Sequence, residues 1–360
     1  MIQDSAVTVT RTAHTMTYCI QTADQPPAGW NSFLEQFGYD GFHLRSEWGT
    51  VFQESMRHQP YYLWVTQDDS ITGVLPLMFI SGPVFGRFLV SQPYLNTGGV
   101  VAQSTEAETQ LIDAAAELAD RLNAKHLELR HERHLGHPKL NSTSREKVHM
   151  RLALPQSPDE LWNGLKSKVR SQVRKPRNNS ALTAHFGGVE RLDEFYAVFC
   201  RNMRDLGTPP FSKRLFASML THFADESEIC SIHLDGRPVA SGFLLHGPGV
   251  TLIPSASSLR KYNSTSCNML MYWHALKRSV ERGQQTFDFG RSSPEAGTWK
   301  FKKQWGAEEA PAVWQYYLRQ GEAGAMRPDS GKYDRMIRIW QKLPVWVTRT
   351  IGPSIVRGIP

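Results

Sequence analysis

A dense run of basic residues is the most distinctive chemical feature of this sequence. It occupies residues 166–177, reads KSKVRSQVRKPR, and has no acidic residue between positions 161 and 188. Cations at this density repel one another unless an anion lies nearby, and the arginine fork matches the oxygens of phosphate. The run therefore predicts a phosphate-binding surface, with an ordinary solvated helix face as the alternative. The candidate ligand contacts are Arg170, Arg174, Lys175 and Arg177.

A second segment interleaves lysines with aromatic residues. Residues 287–306 read FDFGRSSPEAGTWKFKKQWG and begin on a predicted strand, at whose end α/β proteins commonly place functional loops. Lysines between aromatic rings can hold a positive charge against a polarised carbonyl, but a strand with one wet face would have the same residue types. Trp299 and Phe301 are the candidate ligand contacts of this segment, and Lys302 is its candidate catalytic cation.

Motifs for other chemistries are weak. Residues 126–137 contain four histidines, but their HERH differs from HExxH, and one strand end cannot easily aim such close residues at one ion. The DFG at 288–290 follows no glycine-rich loop or HRD motif, and the serine pairs lack a GxSxG elbow. We therefore predict no metal site, and neither a kinase nor a serine hydrolase.

Length and composition indicate a globular protein of two domains. The chain has 360 residues, of which 40% are hydrophobic, and its net charge of +7 favours an anionic partner such as a phosphorylated substrate, RNA or a membrane surface. The four cysteines share no metal or redox spacing, the N-terminus lacks a signal-peptide stretch, and the most apolar segment, residues 73–90, is broken by Gly, Pro and Arg. We expect a cytoplasmic protein that can also touch the inner face of the membrane.

Two regions share the same order of predicted elements, which indicates an internal repeat. Residues 61–77 and 231–245 each read as two apolar strands around a polar turn. An aromatic-rich helix precedes each hairpin, and a strand, a helix and a closing strand follow it. In chain order, these elements are residues 30–37, 98–102, 106–122 and 125–130 in the first copy, and 192–203, 250–255, 266–282 and 286–289 in the second.

This order is the core of the acetyltransferase (GNAT) fold. We therefore predict an α/β protein, mixed α+β in detail, with two tandem GNAT-like domains that each form a mixed, mostly antiparallel sheet flanked by helices. The second copy opens at Ser157, where Ser-Pro-Asp-Glu forms a capping box with proline at the first helical position. Ser266 and Gly283 are expected to cap its central helix. The predicted domains are residues 15–155 and 156–320, followed by a basic amphipathic tail over 321–360.

With two GNAT-like copies, a K-x-x-x-R-x-x-V-R-K helix and an F-K-x-x-W-G segment, the sequence resembles the Fem family of peptidyl- and acyltransferases. Members of that family add amino acids to cell-wall precursors and take them from aminoacyl-tRNA. The resemblance covers most of the chain and is strongest to the branch associated with the PEP-CTERM/exosortase exopolysaccharide system. The segments that carry it are residues 202–216, 287–294 and the tail from residue 339.

The resemblance implies acyl transfer to an amine of a phosphorylated or lipid-linked envelope or exopolysaccharide precursor. Phe301 and Lys302 match the family's Phe-Lys pair near the transferred carbonyl. Arg170, Arg174 and Lys175 match the region where the family meets a phosphorylated substrate or donor. The basic run and the aromatic–lysine segment would then serve one reaction.

Acyl transfer needs a positive partner for the oxyanion and an acceptor for the amine proton. Lys302 is the predicted oxyanion partner with Arg291 assisting, and Asp288 or a water takes the proton. No cofactor is expected to stay bound, and the activated donor is aminoacyl-tRNA or acyl-CoA, which makes tRNA a candidate partner. The chain shows no inserted coiled-coil arm between the copies, which tRNA-using members often carry, so both donors stay open.

Two other functions remain open on the sequence alone. One is a CoA-dependent N-acetyltransferase, and the other is a non-catalytic membrane-peripheral scaffold for polysaccharide assembly that uses the basic tail. The loop at 260–266 argues against standard acetyl-CoA binding, because it reads RKYNSTS where a GNAT enzyme needs glycines that let the backbone approach pyrophosphate. The tail from Lys332 to Pro360 mixes apolar and basic residues, which predicts contact with a membrane surface or packing on the second copy.

Overall fold

The chain folds into two compact units. A computed structural model describes residues 9–11, 18–82, 85–320 and 334–359. Within these, unit one contains the residues up to 146, those of 311–320 and those of 357–359, and unit two contains residues 147–310 and 334–356. Each unit holds one sheet flanked by helices. None of the described helices is both long and apolar enough to span a membrane.

The strands are numbered along the chain. The first eight are β1 (Val9–Arg11), β2 (Tyr18–Ala23), β3 (Gln59–Gln67), β4 (Ser70–Gly82), β5 (Gly86–Val90), β6 (Val101–Ala102), β7 (His126–His131) and β8 (Ser142–Ser144). The others are β9 (Val148–Ala153), β10 (Leu182–Gly187), β11 (Ser227–Leu234), β12 (Arg237–Gly247), β13 (Val250–Ser258), β14 (Thr286–Ser292), β15 (Glu308–Pro311) and β16 (Val313–Leu318).

The helices are numbered in the same way. Those of unit one are α1 (Trp30–Glu35), α2 (Gly38–Phe42), α3 (Ser46–Met56) and α4 (Thr105–Arg121). Those of unit two are α5 (Pro158–Gly164), α6 (Ser167–Arg177), α7 (Leu192–Leu206), α8 (Lys213–His222), α9 (Cys267–Glu281), α10 (Gly297–Gln304), α11 (Asp334–Lys342) and α12 (Val345–Val356). Short 3₁₀ helices occupy Val189–Arg191, Ala224–Glu226 and Arg260–Thr265.

Each sheet is mixed and mostly antiparallel, as predicted. The strand order is β1-β2-β3-β4-β5-β7-β16-β8 in unit one, with β6 beside β4, and β10-β11-β12-β13-β14-β9-β15 in unit two. The β5–β7 and β13–β14 pairs are parallel, whereas the hairpin pairs β3–β4 and β11–β12 are antiparallel. Both units therefore have a hairpin, a third strand, a central helix and a parallel strand in this order, which confirms the predicted tandem arrangement.

Local turn chemistry explains the two hairpins. Asp68 and Asp69 connect β3 to β4, while Asp235 and Gly236 connect β11 to β12, and all four have φ angles between 48° and 73°. Positive φ at both central residues defines the turn whose twist matches that of the flanking strands, and aspartate tolerates this conformation better than most residues. The sequence signal for both hairpins is confirmed.

The central helix of unit two, α9, lies close to its predicted limits. Gly283 has a φ of 73°, and its N–H donates to Val280 O at 2.9 Å, so this glycine closes the helix as predicted. The prediction that the Ser266 side chain caps the start is wrong. Ser266 is itself left-handed, with a φ of 59°, and the Cys267 N–H donates to Thr265 Oγ1 instead, at 3.3 Å.

The third strand of unit one differs from the prediction. Residues 98–102 contribute only the two-residue β6, whereas the strand that follows the hairpin is β5, which pairs with β4 through Phe88 and, in parallel, with β7 through Leu89. Strands that are buried on both faces give a continuous apolar pattern without alternation. Residues 73–90 have that pattern, which conceals the end of β4 and the start of β5.

Two strands lie in a different unit from the one predicted for them. The predicted bounds put residues 148–153 in the first domain, but they form β9, which pairs with β14 in the sheet of unit two, for example Leu152 with Phe287. The same bounds put residues 313–318 in the second domain, but they form β16, which pairs with β7 and β8 in the sheet of unit one, for example Tyr316 with Glu128. The predicted boundaries at 155 and 320 thus differ from the division between the two units, because a local pattern does not state which sheet a strand joins.

The position of β16 in unit one leads to a prediction about the free energy of unfolding. The buried Gln315 side chain donates from Nε2 to Leu135 O (2.9 Å) and accepts from the Leu135 N–H at Oε1 (2.7 Å). Gln315→Leu would leave both backbone groups of Leu135 buried without partners, at a cost of about 1–3 kcal/mol for each. We expect urea unfolding to show this loss, with Gln320→Leu, at an exposed position of unit one, as the control. Equal stability of the two variants would contradict the pairing of β16 with unit one.

Candidate functional site

The parallel strands of unit two diverge after a short pairing. β13 and β14 pair at Val250↔Thr286, Thr251↔Phe287 and Leu252↔Asp288, and no further pair follows. Beyond this point β13 continues beside β12, while β14 continues beside β9. Diverging strands leave backbone N–H and C=O groups without a ladder partner, and such groups can bind an extended ligand.

The equivalent divergence in unit one is filled by the chain itself. The N–H of Ser91 donates to Glu128 O at 2.9 Å, and the N–H of Gly98 donates to Arg130 O at 3.1 Å. The buried Arg130 guanidinium then holds this segment by donating to Leu95 O at 2.7 Å. The divergence in unit two is therefore the better candidate for a ligand.

A bulge in β14 lies at this divergence. The register of β14 with β9 shifts between Asp288 and Arg291, and Gly290 between them has a φ of 76°. The buried Asp288 accepts from the Gly290 N–H at Oδ1 (2.6 Å) and from Arg151 Nε at Oδ2 (3.1 Å). Both oxygens of this carboxylate thus hold the shape of the bulge.

Lys302 projects onto the same bulge from α10. The sequence left the segment around Lys302 as a loop or a half-wet strand, but residues 297–304 form a helix. Lys302 is buried, with 8% of its surface exposed, and its Nζ donates to Gly290 O and Arg291 O, both at 3.0 Å. An ammonium has three donors, so one remains beyond these two bonds.

Burial lowers the pKa of Lys302 to about 8, the Asp288 charge opposes this shift, and the Arg291 charge adds to it. The structure therefore brings the three predicted catalytic residues together around one bulge. A lysine with this pKa changes its charge within the range in which enzymes usually work. It can donate a strong hydrogen bond below that pH and accept a proton above it.

The two predicted aromatic contacts have different environments. Phe301 and Trp299 are both half-buried against the core of unit two, and the Phe301 ring centroid lies 4.9 Å from that of Tyr272. Trp299 donates from Nε1 to Glu309 Oε1 at 2.9 Å and lines an open cleft of about 460 Å³ with several lysines. Trp299 is thus accessible to a ligand, whereas Phe301 mainly packs.

The basic run forms α6. Its Val169 and Val173 are buried in the core that α9 also lines. A spacing of four, four and three residues places four cations on one helical face. These are Lys166, Arg170, Arg174 and Arg177.

Two cations of this face are engaged by neighbouring groups. Arg170 Nη1 donates to Asn163 O (2.9 Å) and Leu165 O (3.0 Å), which satisfies carbonyls at the end of α5. The Arg177 guanidinium lies 4.9 Å from the ring of Trp162, a cation–π distance. These contacts give Arg170 and Arg177 local structural partners, which the ligand prediction did not include.

The other two predicted cations are exposed. The Arg174 side chain makes no hydrogen bond or ion pair within the part of the chain that the structure describes. Lys175 Nζ donates to Ser264 O at 3.0 Å, in the loop before α9. Of the four predicted contacts, Arg174 can therefore meet an anion without losing a bond to a described residue, and Lys175 has two donors left beyond its bond to Ser264 O.

The loop before α9 is closed by its own side chains. Residues 260–265 form a 3₁₀ helix, and Thr265 Oγ1 donates to Tyr262 O at 2.7 Å while it accepts the Cys267 N–H at the start of α9. One of the backbone donors that would face a pyrophosphate is thus already bonded to a side chain. The sequence argument against standard acetyl-CoA binding stays a prediction.

Two residues of the site were missed from the sequence. Arg151 pairs with Asp288, and the buried His149 has Nδ1 3.9 Å from Asp288 Oδ2. Both lie on β9, which the sequence placed in the other domain, so nothing local linked them to the bulge. Among the residues that the structure describes, no group of three or more His, Cys, Asp or Glu side chains is arranged to hold a metal ion.

Comparisons with known proteins agree with this fold. Residues 165–303 match the sequence profile of the acetyltransferase (GNAT) domain. The crystal structure of FemX is similar at a TM-score of 0.64 and 15% identity, covering 82% of this chain and 97% of that one. A tandem GNAT protein from the clavulanic acid biosynthesis pathway is similar at 0.55 and 10%, covering 84% and 99%. L-PGS from Bacillus licheniformis is similar at 0.50 and 12%, covering 91% and 97%.

A comparison with curated protein sequences gave no match. The domain match in unit two indicates an acyl- or aminoacyl-transferase enzyme, and the two-copy fold is similar to those of FemX and the tandem GNAT protein. An enzyme of this class takes an acyl-CoA or aminoacyl donor as co-substrate. This class favours the enzyme over the non-catalytic scaffold that the sequence had left open.

Proposed function

We propose that unit two transfers an activated acyl or aminoacyl group onto an amine of a phosphorylated or lipid-linked cell-envelope precursor. One observation carries the proposal. The buried Lys302 ammonium is fixed by Gly290 O and Arg291 O beside the divergence of β13 and β14, with one donor left over. A preorganised cation in a water-poor position is the arrangement that stabilises a developing oxyanion.

The reaction proceeds by addition and elimination. The amine nitrogen attacks the ester or thioester carbonyl, a C–N bond forms, and the carbonyl oxygen gains negative charge that the third donor of Lys302 stabilises. The C–O or C–S bond then breaks, and the leaving group departs with the electron pair. Because Asp288 is buried and bonded to the Gly290 N–H and to Arg151, we assign proton removal from the amine to water and a positioning role to Asp288.

The donor is proposed to be an activated acyl group other than acetyl-CoA. In the loop at 260–266 the Cys267 N–H is already bonded to Thr265 Oγ1, which removes one backbone donor from pyrophosphate binding. Arg174 and Lys175, next to this loop, supply positive charge for a phosphate of the donor or the carrier. Aminoacyl-tRNA, which the Fem resemblance favours, satisfies both conditions, and its phosphates explain a basic surface without a glycine loop.

The acceptor is proposed to be an amine on an exopolysaccharide precursor. The resemblance of three segments to the branch associated with the PEP-CTERM/exosortase system supports this assignment, and so does the net charge of +7, which favours a phosphate-bearing carrier. We propose that the reaction takes place at the membrane surface, where a lipid-linked acceptor would lie.

Arg174 gives the test of the donor surface. Arg174→Ala should weaken binding of aminoacyl-tRNA, prepared from a total tRNA pool, and reduce the slope of log K against log salt by about one. Arg121→Ala is the matched control, because Arg121 is an exposed cation on α4 in unit one, away from the basic run. Filter binding at several salt concentrations measures both.

The alternative donor is tested in the same series. Acetyl-CoA is favoured by the domain match over 165–303, and calorimetric titration measures its affinity directly. We expect no binding in the micromolar range. Tight acetyl-CoA binding that is abolished by substitutions at residues 263–266 would make the protein a CoA-dependent N-acetyltransferase. If Arg174→Ala leaves the tRNA affinity and its salt dependence unchanged, the basic run is a solvated helix face that does not bind tRNA.

A further inference from the structure

The C-terminal helices α11 and α12 are docked on α7 in unit two. The Arg204 guanidinium donates to Leu343 O at 3.0 Å, and the Arg349 guanidinium lies 5.2 Å from the Tyr196 ring. A Cβ added at Gly207 would collide with Ile337. One side of the tail therefore packs on unit two, which satisfies one of the two predictions for this segment; its residues 321–333 lie outside the described part of the chain.

The opposite side of the tail exposes large apolar residues. Within the described residues, six large hydrophobic side chains are strongly exposed, and four of them belong to the tail. These four are Trp346 (71%), Met336 (65%), Ile339 (53%) and Ile351 (42%). A fifth, Leu206, directly precedes the glycine that packs on Ile337. Apolar exposure concentrated in this way marks a surface that contacts something other than water.

Positive charge accompanies these apolar side chains. Between residues 335 and 360 the sequence contains five Lys or Arg residues and no Asp or Glu. Arg335, Ile339 and Lys342 are spaced by four and three residues, so they share one face of α11. All three are exposed, which means that basic and apolar side chains stand side by side on the solvent side of this helix.

We propose that this tail face, formed by Arg335, Met336, Arg338, Ile339, Lys342 and Trp346, binds the surface of a membrane that contains anionic lipids. Apolar side chains enter the region between headgroups and acyl chains, while the flanking cations meet lipid phosphates. Tryptophan suits this boundary because its ring is apolar and its N–H is polar. The inference does not depend on the proposed reaction, but it would hold unit two beside a lipid-linked acceptor.

A lipid surface accounts for both the cations and the apolar side chains of the tail face. Nucleic acid would use the cations but would gain little from exposed Met, Ile and Trp side chains, since phosphate contacts dominate its binding. A second protein could use Trp346, Met336 and the arginines, which are common in interfaces, but the absence of acidic residues from 335 to 360 favours an anionic lipid surface. Vesicle binding, RNA binding and self-association are therefore the outcomes that an experiment must separate.

Co-sedimentation of the full chain with vesicles provides the test. We expect binding to vesicles of phosphatidylglycerol and phosphatidylcholine in equal parts, and much weaker binding to phosphatidylcholine alone. Neutralising Arg335, Arg338 and Lys342 to Gln should weaken binding about fivefold for each cation removed. The apolar variant Met336→Ser/Ile339→Ser/Trp346→Ser should weaken it by at least about tenfold.

Two controls separate a membrane face from general stickiness. Val189→Ser removes an apolar side chain of unit two that is 68% exposed, and Lys168→Gln removes an exposed cation, both away from the tail. Neither should change vesicle binding, and because every altered side chain is exposed, thermal unfolding should be unchanged in all variants. Equal binding to both vesicle types, unchanged binding of the apolar variant, retention of tRNA by the tail face, or dimerisation through Trp346 without vesicle binding would each overturn the proposal.

Discussion

Replacing Lys302 with methionine should lower kcat for acyl transfer by about 10²–10³-fold, the usual effect of removing one oxyanion donor. The Lys302 Nζ is held by its bonds to Gly290 O and Arg291 O, so its third N–H keeps one direction. No free energy is then needed to reorient this donor during the reaction. Methionine keeps most of the side-chain volume but has no donor. Because the interaction forms mainly in the transition state, KM should change little, and single-turnover kinetics separate the two effects.

Lys277→Met is the control for this variant. Lys277 lies on α9 in the same unit and is partly exposed, so its loss should leave kcat unchanged. Folding lowers the pKa of Lys302, so burying its ammonium costs folding stability, and this cost is fully present below about pH 8, where Lys302 is protonated in the folded and the unfolded state. Lys302→Met should therefore cost only the lost hydrogen bonds, about 1 kcal/mol each. A kcat within tenfold of the wild type would remove Lys302 from the mechanism.

Replacing Glu228 with glutamine should cost about 3 kcal/mol of folding free energy. Glu228 is buried at the start of β11, accepts from His246 Nε2 at 2.9 Å, and is paired with Arg278 Nε at 2.9 Å. Despite burial, which raises the pKa of this carboxyl, the bonds from His246 and Arg278 lower it to about 2. A shift of that size from 4.5 corresponds to about 3 kcal/mol, since each unit is worth about 1.4 kcal/mol.

The same network fixes the state of His246. An ionised carboxylate only accepts, so His246 Nε2 carries the proton, and Nδ1 accepts from the Thr251 hydroxyl at 2.9 Å. Burial lowers the pKa of His246, which keeps the ring neutral. The three residues tie β11, β12 and β13 together on the core side of the sheet, so the loss of Glu228 would affect the whole unit.

The pH dependence of this effect has a definite sign. Because folding lowers the pKa of Glu228, its stabilisation is present above about pH 4.5 and is lost as the pH falls through 4.5 towards 2. Urea unfolding of wild type and Glu228→Gln from about pH 7 downwards should show a difference that shrinks over this interval. Glu281→Gln is the control, since its pair with Lys277 is partly exposed and contributes less than about 1 kcal/mol. Equal losses in both variants would contradict the account of Glu228.

Local signals in the sequence predicted the repeat well. The Asp-Asp and Asp-Gly turns specify hairpins through their positive φ angles, and Gly283 ends α9 for the same reason. The Ser157 side chain accepts the Glu160 N–H at 3.2 Å, as the capping-box pattern predicts. These features need only a few neighbouring residues, so one sequence is enough to recognise them.

Features that depend on distant partners could not be predicted in this way. The local sequence of β9 and β16 does not state which sheet each strand joins, so His149 and Arg151 were not linked to Asp288. The sequence of the lysine–aromatic segment is compatible with a helix as well as with extended chain. Packing on the core of unit two selects the helix α10. Composition also could not reveal that Arg170 bonds to the end of α5, since its partners are backbone carbonyls.

The central claim is that the Lys302 ammonium, rather than its neutral amine, promotes acyl transfer. The direct test is the ratio of the single-turnover rate of the wild type to that of Lys302→Met, measured against pH with one donor and one acceptor. Taking the ratio cancels the titration of the acceptor amine, which both enzymes share. Since burial lowers the pKa of Lys302 to about 8, the ratio should be high below this pH and fall as the pH rises through it. A ratio that rises through pH 8 would make Lys302 a base, and a ratio near one throughout would contradict the account.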